Sequence, residues 1–271
     1  MFTANPFTDL ADLITPAMMQ AYIIAMFIAV VAGTIFDVIH KKSAQYFSEN
    51  AKKAQKSARR TITSGEKTSA AISTVTSEVL TSSEFANPQR RLSHLMLMYG
   101  FISFVVSTVM MIFGGAEAGI WPILWHIGAL SVCVGGYWFW FFIRCDVSSE
   151  GNPWYKLVRA DLFILSLLMT TTFALLWSIV GGMLLFVIFI LAATFLFTTV
   201  LWSKFAHMFF KPAAAYQKKI TRLDGSQENL PDVGEMNDPA IQAKFPDIPE
   251  YMGANPENMG LGIKRESPNH F

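Results

Sequence analysis

Histidine is the residue type with which this chain could bind a metal or move a proton. The sequence contains five histidines: His40, His94, His126, His207 and His270. A neutral imidazole can ligate iron, and because it titrates near neutral pH it can also exchange protons with a substrate. The two cysteines, Cys133 and Cys145, form no C-x-x-C pair. This chain alone therefore cannot hold an iron-sulfur cluster or a structural zinc ion.

His94 and His207 stand at the ends of two long apolar stretches. His94 follows Arg91 at the start of a run that ends at Phe113, and His207 follows a run that begins at Met183. Two neutral imidazoles on facing antiparallel helices can ligate one haem iron from both sides, as in a b-type cytochrome. The sequence therefore predicts one haem b with these two axial ligands. The alternative is that both side chains extend from helix ends into lipid headgroups.

His126 lies near the start of another apolar run, beside Trp121 and Trp125. An imidazole can exchange a proton with a quinone head group, and indole rings can line a flat apolar pocket. His126 and Trp125 are therefore candidates for a quinone site. The alternative is a histidine that packs between helices, with tryptophans at the membrane interface.

Two arginines lie close to the predicted haem layer. Arg91 and Arg159 could each pair with a haem propionate or with a carboxylate such as Asp37 or Asp161. We expect no catalytic residue among these groups.

The composition shows which elements must position these residues. The chain has 271 residues, of which 52% are hydrophobic and only 15% charged. That balance excludes a soluble domain and is typical of an integral membrane protein. Its apolar residues occur in runs of about 20, which suits helices that cross about 30 Å of hydrocarbon and does not suit a barrel. The predicted spans are 17–39, 92–113, 121–143, 157–180 and 183–204.

The charges orient these spans. The loop 41–91 is rich in Lys and Arg, and Arg144, Lys156 and Arg159 follow the third span. By the positive-inside rule both segments are cytoplasmic. The sequence thus predicts an all-α membrane protein with five transmembrane helices, a periplasmic lead of residues 1–16 and a cytoplasmic tail of residues 211–271.

The predicted membrane domain, residues 17–210, includes the basic loop 41–91, and three local patterns in the domain and the loop predict further details. In the loop, the part up to Arg60 could be a basic helix on anionic headgroups, whereas the Ser/Thr-rich part beyond Thr61 is a weak helix former. The hydroxyls of the fourth span can bond to their own helix, which predicts no polar channel. Gly128, Gly135 and Gly136 offer a close-packing face on the third span.

The tail has the composition of a segment without a core of its own. It is rich in Pro, Asn, Asp and Gly, and apolar residues are scattered among its prolines. Such a segment can lie extended along the surface of another protein, or it can be a disordered terminus. The scattered apolar residues are Phe245, Ile248, Tyr251, Met252, Met259, Leu261 and Ile263.

With these spans and histidines in place, the chain resembles the five-span cytochrome b-like anchors of respiratory complexes. That group includes the gamma subunit of respiratory nitrate reductase and the membrane subunits of heterodisulfide-reductase-like complexes. The resemblance rests on the histidine at the start of the second span, in LSHLMLMYGF, and on that at the end of the fifth, in WSKFAHMFFKP. The chain departs from the nitrate reductase pattern because it has too few membrane histidines for two haems.

The long basic first loop and the ending YMGANPENMGLGIKRESPNHF are similar to the membrane anchor of dissimilatory adenylylsulfate (APS) reductase of sulfur-oxidising bacteria. The resemblance covers the whole chain. It implies a soluble flavin and iron-sulfur enzyme that oxidises sulfite with AMP to adenylylsulfate and docks on the cytoplasmic tail and basic loop. It also implies an anchor in the bacterial inner membrane that is non-catalytic or reacts with quinone, to which it passes electrons.

Two other functions stay open at this point. A haem-free protein could hold the same enzyme at the bilayer, with quinone bound at the interface or shared with the partner. A small transporter is disfavoured because the chain has no internal repeat and few charges at mid-membrane depth. In each case the expected partners are lipid, quinone and cytoplasmic oxidoreductase subunits, and not nucleic acid.

Overall fold

The computed structural model describes residues 2–10, 13–41, 43–83, 85, 87–114, 119–146, 151–200, 207–226 and 239–244. All regular structure in these residues is helical, which confirms the all-α prediction. The helices are α1 (Pro16–Lys41), α2 (Ser43–Lys56), α3 (Ser64–Ser73), α4 (Pro88–Phe113), α5 (Ile120–Trp138), α6 (Leu162–Val180), α7 (Met183–Thr198), α8 (His207–Leu223) and α9 (Pro239–Lys244).

Four helical segments of the described chain are long and apolar enough to cross a membrane. The protein is therefore a multi-pass membrane protein. Helix α7 is also apolar, but it has 16 residues and ends at Thr198, not at Lys204. Sixteen residues at about 1.5 Å each span about 24 Å, less than the hydrocarbon thickness. The four segments are Pro16–His40, Pro88–Phe113, Ile120–Ile143 and Arg159–Val180.

The chain folds as two compact units. The membrane unit contains Met1–Tyr46 and Asn87–Ala213, and the second unit contains Phe47–Ala86 and Ala214–Phe271. Each unit joins segments that are far apart in the sequence.

In the membrane unit, α4 and α5 are antiparallel and approach each other closely at glycines. A Cβ atom on Gly128 would lie 2.7 Å from the backbone nitrogen of Phe104 and 2.8 Å from the carbonyl oxygen of Gly100. Farther along, the Ser93 hydroxyl donates to the carbonyl of Gly135 at 2.8 Å. The predicted close-packing face of α5 is therefore confirmed.

Aromatic rings fill the end of the bundle near the α6–α7 turn. Trp125 is fully buried and stacks on Phe104, with 5.2 Å between ring centroids. Trp177 contacts Phe186 and Phe189 of α7. Phe7, from the segment before α1, packs against Trp125 and Trp177. The first residues of the chain thus belong to the same core.

Helices α1 and α7 lie side by side and run in the same direction. The Tyr22 hydroxyl contacts the Thr194 hydroxyl at 3.0 Å, and a Cβ on Gly33 would lie 3.2 Å from the Cβ of Val200. Because the residue numbers rise together along both helices, the pair is parallel. Most other α1 side chains are exposed, as expected for a helix at the edge of a bundle in lipid.

In the second unit, α3 begins with a capping box. The Thr63 hydroxyl accepts from the Glu66 backbone at 3.3 Å, and the Glu66 carboxylate accepts from the Thr63 backbone at 2.8 Å. That backbone bond, together with the Arg60 guanidinium and the Thr63 hydroxyl, lowers the pKa of Glu66 to about 2. The prediction that the chain beyond Thr61 is a weak helix former is wrong, because the cap, visible in the sequence as Thr-x-x-Glu, starts a helix that continues as a π-helix over Thr74–Leu80.

The second unit joins the basic loop to the end of α8. Ile220 is buried with Ile62 and Ala70. The backbone N–H of Arg59 donates to the carbonyl of Asp224 at 2.8 Å, and Lys219 lies 3.3 Å from the Glu78 carboxylate. Residues assigned to the tail by sequence thus form a folded unit with the loop.

We predict that Gly128→Ala destabilises the bundle by about 1–3 kcal/mol, because a methyl group there would push apart two backbones that cannot give way locally. The measurement is thermal unfolding in detergent micelles. Gly119→Ala is the matched control at the start of the same helix, where a Cβ meets no atom within 4 Å. Equal stability of the two variants would contradict the close contact.

Candidate functional site

His94 lies in the second turn of α4, which begins at Pro88 after an Asn87 cap, earlier than predicted. Its side chain is half-buried. It shares a helix face with Phe101, two turns farther on, and the Phe101 ring lies 6.3 Å from that of Phe197 in α7. The α4 face that carries His94 is therefore the face turned toward α7.

His207 is the first residue of α8, but its side chain lies outside the described residues, as do residues 201–206. The predicted pairing of His94 with His207 thus stays a prediction. Within the part of the chain that the structure describes, no group of three or more His, Cys, Asp or Glu side chains converges on a point. A haem needs only two axial ligands from the protein, so the prediction does not require such a group.

The two arginines predicted beside the haem layer differ in exposure. Arg91 is half-buried in the first turn of α4, and Arg159 is exposed. Asp161, one of the carboxylates considered as their partner, pairs instead with Arg144. Asp37 is buried near the end of α1.

Arg144 is the centre of a polar cluster that sequence reasoning missed. Its guanidinium is fully buried and donates to both carboxylate oxygens of Asp161, at 2.5 and 3.3 Å. It also lies over the ring of Trp140, 4.3 Å from the centroid. The remaining N–H groups donate to backbone carbonyls, those of Asn152 at 3.2 Å, Pro153 at 2.8 Å and Lys156 at 2.6 Å.

The same cluster explains where the fourth span begins. Asp161 also accepts from the backbone N–H of Val158 at 2.9 Å, and a short 3-10 turn, Arg159–Asp161, precedes α6. Leu157 and Val158, predicted as the first residues of the span, therefore belong to the loop. The sequence signal was an arginine at the end of the aromatic-rich third span, but the sequence does not identify its partner.

His126 is buried at the opposite end of α5, and both ring nitrogens are hydrogen-bonded. Nδ1 lies 2.6 Å from the carbonyl of Pro122, and Nε2 lies 3.2 Å from the hydroxyl of Ser178 in α6. A carbonyl can only accept, so Nδ1 carries the proton and Nε2 is the nitrogen that can gain one. Phe2 presents its ring to the imidazole with 5.0 Å between centroids.

Trp125 is beside His126, with 4.9 Å between the ring centroids, but its ring belongs to the core. Its indole N–H donates to the hydroxyl of Thr108 at 2.9 Å. The rings of the two predicted quinone residues are therefore in contact. Of the two, His126 is the residue whose ring nitrogen, Nε2, can gain or lose a proton.

The fold and these clusters define an α-helical multi-pass membrane protein with polar side chains at both ends of its bundle. Comparison with known protein families, with characterised proteins and with solved structures found no match.

We predict that Asp161→Asn destabilises the protein by about 3 kcal/mol, because it leaves the Arg144 guanidinium buried without a counter-charge. Arg159→Gln, at an exposed position in the same turn, is the matched control and should change stability by less than about 0.5 kcal/mol. Chemical unfolding in micelles, followed by circular dichroism, measures both. An Asp161→Asn variant as stable as the control would contradict the buried ion pair.

Proposed function

We propose that this chain is the membrane anchor and electron-transfer subunit of a complex in the bacterial inner membrane. A cytoplasmic iron-sulfur and flavin oxidoreductase, of the adenylylsulfate reductase type, docks on it and exchanges electrons with membrane quinone. The observation that carries the proposal is the face of α4 that bears His94 and is turned toward α7, the helix that precedes His207.

The topology of the proposal has α7 as a fifth span. The basic loop and the end of α8 pack into one unit, so they lie on one side of the membrane, and the chain between them crosses an even number of times. Helices α4, α5 and α6 account for three crossings, which leaves the fourth to α7. Because α7 packs parallel to α1, we infer that both helices cross the membrane in the same direction. A short span is accommodated by local thinning of the bilayer.

The haem site of the proposal lies on the face of α4 that carries His94. Phe101 on that face lies 6.3 Å from Phe197 of α7, and the chain leads from α7 to His207. The imidazoles of His94 and His207 would be the axial ligands of one haem b, and Arg91, three residues before His94, would pair with a propionate.

A haem bound there would supply one-electron transfer between the partner enzyme and the membrane. The chain itself supplies the ligands, the apolar surroundings and the membrane depth of the site. At the other end of the bundle, His126 would exchange the proton that accompanies quinone chemistry through Nε2, while Pro122 holds Nδ1–H in place. Trp125, whose ring belongs to the core, would support the His126 ring from inside the bundle.

A second candidate is a haem-free docking protein. The observation that favours it is the second unit, in which the loop and the end of α8 share a core of Ile62, Ala70 and Ile220. Such a unit could bind the soluble enzyme by itself.

We predict that the purified chain has the reduced-minus-oxidised spectrum of a b-type cytochrome. The α-band should disappear in His94→Ala and in His207→Ala, because each variant removes one axial ligand. His40→Ala is the matched control, at the end of α1, and should keep the band. A colourless wild-type protein would reject the first candidate in favour of the second.

We also predict that a soluble flavin and iron-sulfur oxidoreductase co-purifies with the chain from its native membranes. Deletion of residues 227–271 should release the enzyme, because it removes most of the tail and keeps the bonds of Asp224 and Ser226 at the end of α8, among them those of Asp224 to the basic loop. Retention of the enzyme by the truncated chain would reject docking through the tail. If the deletion releases the enzyme and leaves the haem band unchanged, the tail is needed for docking and not for haem binding.

A further inference from the structure

The loop between α5 and α6 presents large apolar side chains to its surroundings. Trp154, Tyr155 and Leu157 are 57%, 70% and 65% exposed. Large apolar side chains that are exposed next to one another mark a surface that binds a protein or a membrane.

The described part of this loop, residues 151–158, has a defined shape because it is built around Arg144. The guanidinium binds three of its carbonyls, and the Arg144 carbonyl accepts from the backbone N–H of Asn152 at 3.1 Å. Gly151 has a φ of 63°, a conformation that favours glycine, and its backbone N–H donates to the carbonyl of Asp146 at 2.9 Å. The backbone that carries the aromatic side chains is therefore fixed by hydrogen bonds to the buried Arg144 side chain.

The exposed rings continue a surface that belongs to the membrane. One face of α5 and of the π-helical segment after it carries exposed apolar residues at helical spacing over about 21 Å. Its last ring, Phe141, lies 6.4 Å from Trp154, and Trp154 lies 5.8 Å from Tyr155. The exposed residues of this face are Ile127, Leu130, Val134, Tyr137 and Phe141.

We infer that residues 153–158 are a membrane-interface anchor, in which Trp154, Tyr155 and Leu157 enter the boundary between headgroups and acyl chains of the bilayer. The contact from Phe141 to Trp154 carries the inference, because a ring continuous with a lipid-facing helix surface lies at the end of the hydrocarbon layer. Trp and Tyr are the side chains that prefer this boundary. Arg144 is the positioning residue of the anchor.

The chemistry of the loop suits this partner. The exposed Lys156 side chain can bury its stem among the rings while its ammonium group reaches the phosphates. The anchor would set the depth of α5 and α6 in the bilayer, and this role does not depend on the redox function proposed above.

The experiment measures the depth of a nitroxide label in the full chain, reconstituted in nanodiscs of phosphatidylethanolamine and phosphatidylglycerol. Cys133→Ala and Cys145→Ser remove the native thiols, and Tyr155→Cys provides the label site. Power saturation compares collisions with oxygen, which concentrates in lipid, and with a water-soluble nickel chelate. Leu130→Cys is the lipid control, and Gly65→Cys, where a Cβ meets no atom within 4 Å, is the aqueous control.

We expect the oxygen-to-nickel collision ratio at position 155 to exceed that at position 65 severalfold and to approach that at position 130. A ratio at position 155 equal to that at position 65 would overturn the proposal. So would a label that is aqueous in nanodiscs and becomes shielded only when a soluble protein binds, because the loop would then be a protein docking site.

The role of Arg144 has its own readout. Arg144→Lys keeps the charge but loses the planar fork, so the collision ratio at position 155 should fall toward the aqueous value. Arg159→Lys, at an exposed cation nearby, should leave it unchanged. Equal collision ratios in the two variants would reject Arg144 as the positioning residue. If Arg144→Lys fails to fold, the depth of the label in the chain with native Arg144 still tests whether residues 153–158 enter the bilayer.

Discussion

The close contact between α4 and α5 is the constraint on which most of the membrane unit depends. Without side chains at Gly100 and Gly128, the two backbones approach closely enough for serine hydroxyls of each helix to reach carbonyls of the other. Because lipid offers no hydrophobic force between helices, such packing and hydrogen bonds are what hold them together. The contact fixes the rotation of α4, and with it the direction of the face that carries His94. It also fixes α5, which carries His126 near one end and leads to Arg144 at the other.

Most polar side chains in the described part of the bundle have a hydrogen-bond partner inside it, although the buried Ser107 hydroxyl does not. Thr170 and Thr171 donate to carbonyls of their own helix, as their positions predicted. Arg144 is the extreme case, because an isolated buried guanidinium is very costly and this one has a carboxylate, three carbonyls and an aromatic face around it. The partners of Arg144 are mostly loop carbonyls, so the same interaction that neutralises the charge also shapes the loop. One side chain, Arg144, thus fixes the described part of the loop between α5 and α6.

Several elements were predictable because their causes are local. The long apolar helices follow from composition and from the need of every backbone amide in hydrocarbon for a partner within its own helix. The glycine face of α5 follows from residue type and spacing. Helix α3 also has a local cause, the capping signal of Thr63 and Glu66, although the Ser and Thr content of the segment favours the opposite interpretation. The end of α7 at Thr198 has no comparable local signal.

The sequence by itself determined that this chain is an α-helical membrane protein, where its apolar helices lie and which of its residues could do chemistry, because hydrophobicity and helix propensity act over a few neighbouring residues. Only the tertiary structure decided that Asp161 belongs to Arg144, that Ser178 faces His126 and that the basic loop folds with the end of α8. Those pairings depend on the rotation and register of helices far apart in the chain. Packing in three dimensions sets rotation and register, and spacing along the chain does not encode them.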